Sequence, residues 1–233
     1  MIYLFIGRRE KGKTTLAYWM LKQRTIRKRA VIDARRMINQ SGARIETVYT
    51  HSEASDALFA MMDGESDEVI YQPFEDDIEQ VSFPAFTRTL KTIVIEHPRT
   101  DVGILIDEAS FYDLQGPTFQ WLAKCAKRDH SHILITAHQP KDIPTSVRAI
   151  ADHWFIFHTT QQTDLDKIAE KSPDAARVAR ALSDREFVHW NDANGILTVN
   201  RWPSGWFIAL ENTHDNDRPA DRTTEPATEP TTT

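Results

Sequence analysis

Gly7-Arg8-Arg9-Glu10-Lys11-Gly12-Lys13-Thr14 has the spacing G-x-x-x-x-G-K-T. It follows the apolar run Ile2–Ile6 and precedes Leu16-Ala17-Tyr18-Trp19-Met20-Leu21. That is the strand–loop–helix context in which this spacing cradles phosphate. Gly7 and Gly12 let the backbone curl so that its N–H groups, from Gly7 through Thr15, converge on phosphate oxygens. A helix beginning near Lys13 adds the positive end of its dipole. In this reading Lys13 reaches the β- and γ-phosphates of ATP, and the Thr14 hydroxyl holds Mg2+.

Working outward, short apolar runs alternate with helical patterns through the first ~160 residues, an order that predicts an α/β fold with a mostly parallel sheet and helices on both faces. Strands are expected at Ala30–Asp33, 45–49, 68–72, Val102–Ile106, Ile133–Thr136 and Trp154–Phe157. Helices are expected near Ser52–Met62, Phe83–Ile95, from Pro117 to about Arg128, and at Ser146–Ala151, with two more flanking Ser172-Pro173. Phe187–Trp190, Ile196–Asn200 and Trp206–Leu210 read as a small C-terminal β appendage, with turn residues at Asp192–Gly195. The basic stretch Lys22–Arg29 reads most simply as a solvated helix end, with a nucleic-acid contact as the alternative. A single ATPase domain over 1–212 is expected, followed by a Thr/Pro/Glu-rich tail at 213–233 that lacks the apolar surface to order itself.

The formal net charge is −6, half of it contributed by the segment from His214 to Thr233. Bulk charge therefore does not mark a nucleic-acid binder, although local patches govern phosphate contact. The single cysteine, Cys125, excludes an intrachain disulfide and a zinc site built only of cysteine, and its apolar neighbours suggest a buried position. A reducing, intracellular setting is expected. No run approaches the ~18–20 apolar residues of a membrane span, and the first residues read as a strand rather than a signal peptide.

Ile104-Leu105-Ile106 leads directly into Asp107-Glu108. An apolar strand ending in paired acids, downstream of a complete phosphate loop, reads as a Walker B element: Asp107 orients Mg2+ through a bound water, and Glu108 accepts a proton from the attacking water. The next apolar strand ends Ala137-His138-Gln139-Pro140. Gln139 is expected to sense the γ-phosphate, with His138 a turn residue beside it. Arg128, ahead of that strand, is favoured over Arg148 as an arginine finger acting on a neighbouring subunit's nucleotide.

These elements resemble the FtsK–HerA superfamily of P-loop ATPases: the loop Gly7–Thr14, the strand Ile104–Ala109, the Gln139-Pro140 strand end, and the stretch from Asp142 to His153. Arg8, Arg9 and Glu10 depart from the small residues common in that loop, as does His138 from the Thr or Ala common before the Gln. Within the superfamily the chain looks most like genome-packaging ATPases of membrane-containing icosahedral viruses. The resemblance implies a RecA-like core, a homo-oligomeric, hexameric ring, ATP hydrolysis coupled to translocation of double-stranded DNA, and packaging of that DNA into a preformed capsid. It further implies docking to a capsid or membrane vertex protein, in the host cytoplasm or at a virion vertex.

Two other resemblances carry less of the chain. Phage assembly ATPases of the zonula-occludens-toxin type share a similar core but usually carry a transmembrane segment. Ile106–Phe111 resembles a segment of the thymidine kinase family, which commonly adds a four-cysteine zinc module that one cysteine does not supply.

Overall fold

A computed structural model describes residues 1–23, 26–74, 81–98, 100–126 and 131–201. Its sheet has nine strands in the order β3-β4-β2-β5-β6-β1-β7-β8-β9. β1 is Ile2–Ile6, β2 Lys28–Asp33, β3 Ile45–Val48, β4 Glu68–Tyr71, β5 Val102–Asp107, β6 His132–Ala137 and β7 His153–Phe157. These seven run parallel. β8 (Glu186–Asn191) and β9 (Ile196–Arg201) continue the same sheet as an antiparallel hairpin. The expected strand at Trp206–Leu210 and the tail from 213 lie outside the described residues.

The unbroken apolar strands are explained by coverage on both faces. Along β1, Ile2, Leu4 and Ile6 enter one core while Tyr3 and Phe5 enter the other, as period-two alternation requires. One face is covered by α1 (Lys13–Gln23), whose Leu16, Ala17 and Leu21 are buried. The opposite face carries α2 (His51–Asp63), α3 (Phe83–Glu96), α4 (Pro117–Ala126) and α5 (Thr145–Ile150), with α6 (Gln162–Ala169) and α7 (Pro173–Ala181) beyond them.

Local chemistry sets several helix starts. Thr50 and Glu53 form a reciprocal capping box ahead of α2, and Ser172 Oγ accepts from Ala175 N–H at the start of α7. Prolines sit in the first turns of α3, α4 and α7. Cys125 is buried, as its neighbours suggested.

One expectation is corrected. Lys28 and Arg29 are not a helix end; they begin β2. Arg29 Nε donates to Glu68 Oε2 at 2.8 Å, and Lys28 Nζ donates to the Ser66 carbonyl at 2.9 Å. Glu68 is fully buried at the start of β4, where the Tyr18 hydroxyl of α1 also donates to it. Arg29 therefore neutralises a buried carboxylate at the amino edge of the sheet, the requirement that any buried charge imposes, while Lys28 caps the Ser66 carbonyl beside Asp67.

Gly103 shows how closely α1 approaches. A Cβ there would stand 2.4 Å from Leu21 Cδ1 and 2.9 Å from Ile26 Cγ2. Gly103→Val is expected to destabilise by about 1–3 kcal/mol through overpacking, lowering Tm by roughly 2–4 °C per kcal/mol. Calorimetry would read the loss, and an unchanged Tm would contradict the packing described.

Candidate phosphate-binding cleft

The carboxyl ends of β1, β2, β5 and β6 converge on one cleft, a cavity of about 710 Å³. Gly7 lies so close to β7 that a Cβ would be 2.6 Å from Phe157 Cβ, and Gly12 takes φ +90°. Both positions exclude an ordinary side chain. Glu10 adds a left-handed φ of +60°. The loop between the glycines curls around Lys13, whose Nζ donates to the Arg8 carbonyl at 2.9 Å. Arg9, Glu10, Lys13 and Thr14 line the cleft. Arg8 and Lys11 turn outward to Thr160 Oγ1 (3.1 Å) and Asp184 Oδ1 (2.8 Å). Thr15 is half-buried on the first turn of α1.

β6 is interposed between β1, which feeds this loop, and β5, which delivers the acids. The Thr14 hydroxyl nevertheless reaches across and donates to Asp107 Oδ1 at 2.6 Å. The same oxygen accepts from Thr136 Oγ1 of β6 at 2.8 Å. Thr136 in turn accepts from the Glu108 N–H at 2.7 Å. One buried threonine thus ties the ends of β5 and β6 together.

Immediately after β5 the chain turns sharply. Glu108 adopts φ +65°, ψ +78°, rare for a non-glycine residue and of the kind retained at functional sites. A 3₁₀ turn, Ala109–Phe111, follows. The turn sends the Glu108 side chain into the cleft, where it is 4% exposed. Its Oε1 accepts from Ser110 Oγ at 2.9 Å, and its Oε2 lies 2.9 Å from His138 Nε2 and 3.9 Å from the Arg35 guanidinium.

Lys13, Thr14, Asp107 and Glu108 are therefore brought together. Gln139 is not: its amide meets Gln161 Oε1 at 3.2 Å, and it does not line the cleft. Arg148 is buried on α5 against Thr145 Oγ1, away from the cleft. Arg128 lies outside the described residues. Four cleft residues escaped the sequence reading. Arg35 and Arg36 follow β2, and an Arg pair directly after a strand-ending Asp was their available signal. Thr136 was visible as a lone hydroxyl in an apolar strand. His138 was visible only as a neighbour of Gln139.

Electrostatics at the acids is severe. Asp33, paired in register with Asp107, is fully buried, and its Oδ1 has no hydrogen-bond partner among the described residues. Burial above all, with Asp33 and Glu108 nearby, pushes the Asp107 carboxyl up to about 6, against the hydroxyls of Thr14 and Thr136, which favour the ionised form. Burial likewise lowers the Lys13 pKa, opposed by Glu108 and Asp107. A hard-oxygen donor set of one hydroxyl and one carboxylate, beside an orphaned buried carboxylate oxygen, suits a magnesium ion that keeps several waters. No cluster of three or more His, Cys, Asp or Glu side chains with metal-ligand geometry occurs among the described residues, and no described helix is long and apolar enough to cross a membrane.

This is the fold of a P-loop NTPase, and solved structures share it. The genome-packaging NTPase B204 of Sulfolobus turreted icosahedral virus 2, in complex with ATPγS, superposes with a TM-score of 0.67 at 17% identity, covering 87% of this chain and 96% of that one. The bacterial conjugative coupling protein TrwBΔN70 gives 0.61 at 8% identity over 86% and 84%. VirB4 of Thermoanaerobacter pseudethanolicus gives 0.58 at 10% identity over 89% and 90%. At these identities the likeness is one of fold. No family model matches the chain, and no curated protein matches it by sequence.

The Asp107 shift has a consequence for stability. Its carboxyl sits near 6 when folded against 3.8 as an ordinary side chain, so its favourable contribution is complete below 3.8 and is lost as pH rises through about 6. Asp107→Asn removes the charge and keeps the shape. At pH 8 the nucleotide-free variant is expected to melt a few degrees above the natural protein, with the gap closing toward pH 4. A variant no more stable at pH 8 would refute the burial argument.

Proposed function

We propose that this protein is an ATP-hydrolysing motor that moves double-stranded DNA, in the manner of viral genome-packaging ATPases. The observation that carries the reading is the convergence of Lys13, Thr14, Asp107 and Glu108 at one end of the sheet, Thr14 and Asp107 in direct contact. The fold shared with B204, whose structure holds ATPγS, supports nucleotide as the ligand.

In this reading the loop N–H groups after Gly7, up to Thr15, and the amino end of α1 bind the phosphates, the Gly7 N–H itself being taken by the Ala137 carbonyl at 3.2 Å, and Lys13 leaves the Arg8 carbonyl for their terminal oxygens. Thr14 and Asp107 hold Mg2+, which neutralises phosphate charge when bound. Glu108 accepts the proton of the attacking water. Its strained backbone and its contact with Ser110 hold the carboxylate at the cleft wall. The basic wall formed by Arg9, Arg35 and Arg36 complements a polyphosphate that the buried acids alone would repel.

A homo-oligomeric ring, hexameric by resemblance, belongs to the same proposal, since a single subunit of net charge −6 has little bulk attraction for DNA. A few Lys or Arg side chains, multiplied by symmetry, meet the DNA backbone without reading bases. Arg128 is proposed as the finger supplied to a neighbouring subunit. A capsid or membrane vertex protein is the proposed docking partner.

Lys13→Ala is expected to abolish ATP binding or turnover in a phosphate-release assay. Glu108→Gln is expected to retain binding while kcat falls about 10²–10⁴-fold; wild-type kcat would remove Glu108 as the base. Double-stranded DNA is expected to raise the ATPase rate, with the stimulation shrinking as salt rises. A rate indifferent to DNA at low salt would count against translocation, and transfer of phosphate to a nucleoside would indicate a kinase instead.

A further inference from the structure

Gln139, the sensor expected from the sequence, is tied down elsewhere. Its main-chain N–H donates to Asp142 Oδ2 at 2.9 Å, its carbonyl accepts from the Asp142 N–H at 3.1 Å, and its side-chain amide meets Gln161 Oε1 at 3.2 Å. The turn thus fixes its main chain with the side chain directed to Gln161 and away from the cleft lining. His138, one residue earlier, already lines the cleft.

The His138 ring stands between the two groups on which turnover depends. Nε2 lies 2.9 Å from Glu108 Oε2, and Nδ1 lies 3.3 Å from Lys13 Nζ. An Nε2 lone pair facing an ionised carboxylate would be repulsive, so the consistent tautomer has Nε2–H donating to Glu108 and Nδ1 accepting from the Lys13 ammonium. Arg9 Nε–H is also aimed at Nε2, 3.1 Å away, and would need its lone pair; the ionised carboxylate at 2.9 Å makes the stronger claim on Nε2–H, which leaves Arg9 as a positive charge on the open side that must turn aside from the ring. Glu108 is thereby held at both oxygens, by Ser110 on Oε1 and by His138 on Oε2. A carboxylate so engaged is a poor acceptor for a proton from water. Lys13 is equally committed, to the Arg8 carbonyl and to His138.

We infer that His138 is the γ-phosphate-reading and positioning residue of this cleft, and that it restrains Glu108 until a triphosphate arrives. The inference rests on the reading of the cleft as an ATP site. Terminal phosphate oxygens draw Lys13 away from Nδ1. They also compete with Glu108 for the Nε2–H, a charge-assisted bond to either partner. Once Nε2–H turns to the γ-phosphate, Glu108 Oε2 is released to take the water proton. A diphosphate offers no oxygen at that position, so the histidine–glutamate contact persists. The step is an exchange of hydrogen bonds, with no net proton transferred to or from the ring.

The test compares ADP with the nonhydrolysable triphosphate AMP-PNP on the full chain, both with Mg2+. Calorimetry on the natural protein comes first: binding of neither nucleotide would defeat the ATP-site reading itself, separately from the role of His138. Given binding, His138→Ala is expected to reduce the preference for AMP-PNP over ADP by about tenfold or more while leaving ADP affinity within about twofold. His138→Gln, which retains an N–H donor, is expected to restore part of the preference, and Gln139→Ala to leave it unchanged. Nitrogen NMR of the natural protein supplies a readout independent of variant folding: the His138 ring signals are expected to shift with AMP-PNP and to stay near their nucleotide-free positions with ADP. Preference lost in Gln139→Ala and kept in His138→Ala, or ring signals indifferent to AMP-PNP, would overturn the assignment.

Discussion

At the carboxyl edge of the sheet three acids, Asp33, Asp107 and Glu108, are gathered with almost no access to solvent. The protein offers Asp107 two hydroxyls, from Thr14 and Thr136, and among the described residues leaves one oxygen of Asp33 unsatisfied. Hydroxyl groups soften the cost of ionising a buried carboxylate but do not cancel it. The surrounding cations stand where charge balance demands them: Lys13 beneath the loop, Arg9 and Arg35 along the rim. Much of the local architecture follows from this concentration of negative charge. It fixes the end of β6 through Thr136 and orients the start of α1 through Thr14.

The parts of the fold that were legible in the sequence are those in which one local rule acts alone. Buried parallel strands must be continuously apolar, so β1, β5, β6 and β7 announced themselves. The loop from Gly7 to Thr14 needs glycine at two backbone positions for steric reasons, and the contact with Phe157 and the left-handed φ at Gly12 are those reasons. Lys28 and Arg29 misled because their charge has tertiary partners: Glu68 for Arg29, Ser66 and Asp67 for Lys28, at the start of another strand, and no sequence window shows a pairing across some forty residues. Strand order was illegible for the same reason, since the interposition of β6 between β1 and β5 depends on which crossovers pack together.

At the cleft the limit was finer. The Asp-Glu pair could be read as lying at a strand end, yet its geometry depends on a left-handed residue at Glu108, which no propensity favours. The end of β6 could be recognised, but which of two adjacent side chains enters the cleft is decided by the turn that follows. Pro140 and Asp142 close that turn onto Gln139, and His138 faces inward. A fold shared with solved structures at 8–17% identity is consistent with this pattern: a scaffold specified by backbone geometry leaves room for side chains at its rim to differ.

Helix α1 is fastened near both extremities. Thr14 grips Asp107 at the carboxyl edge, while Tyr18 and Lys22 approach Glu68 at the amino edge, with Lys22 Nζ 3.9 Å away. Gly103 and Leu21 leave no slack between the helix and β5. A rod pinned in this way cannot slide or pivot without exposing a charge at one end or colliding with the sheet. It therefore serves as a strut: a ligand in the cleft that shifts side chains at the ends of β5 and β6 meets, on the α1 side, a wall that does not yield.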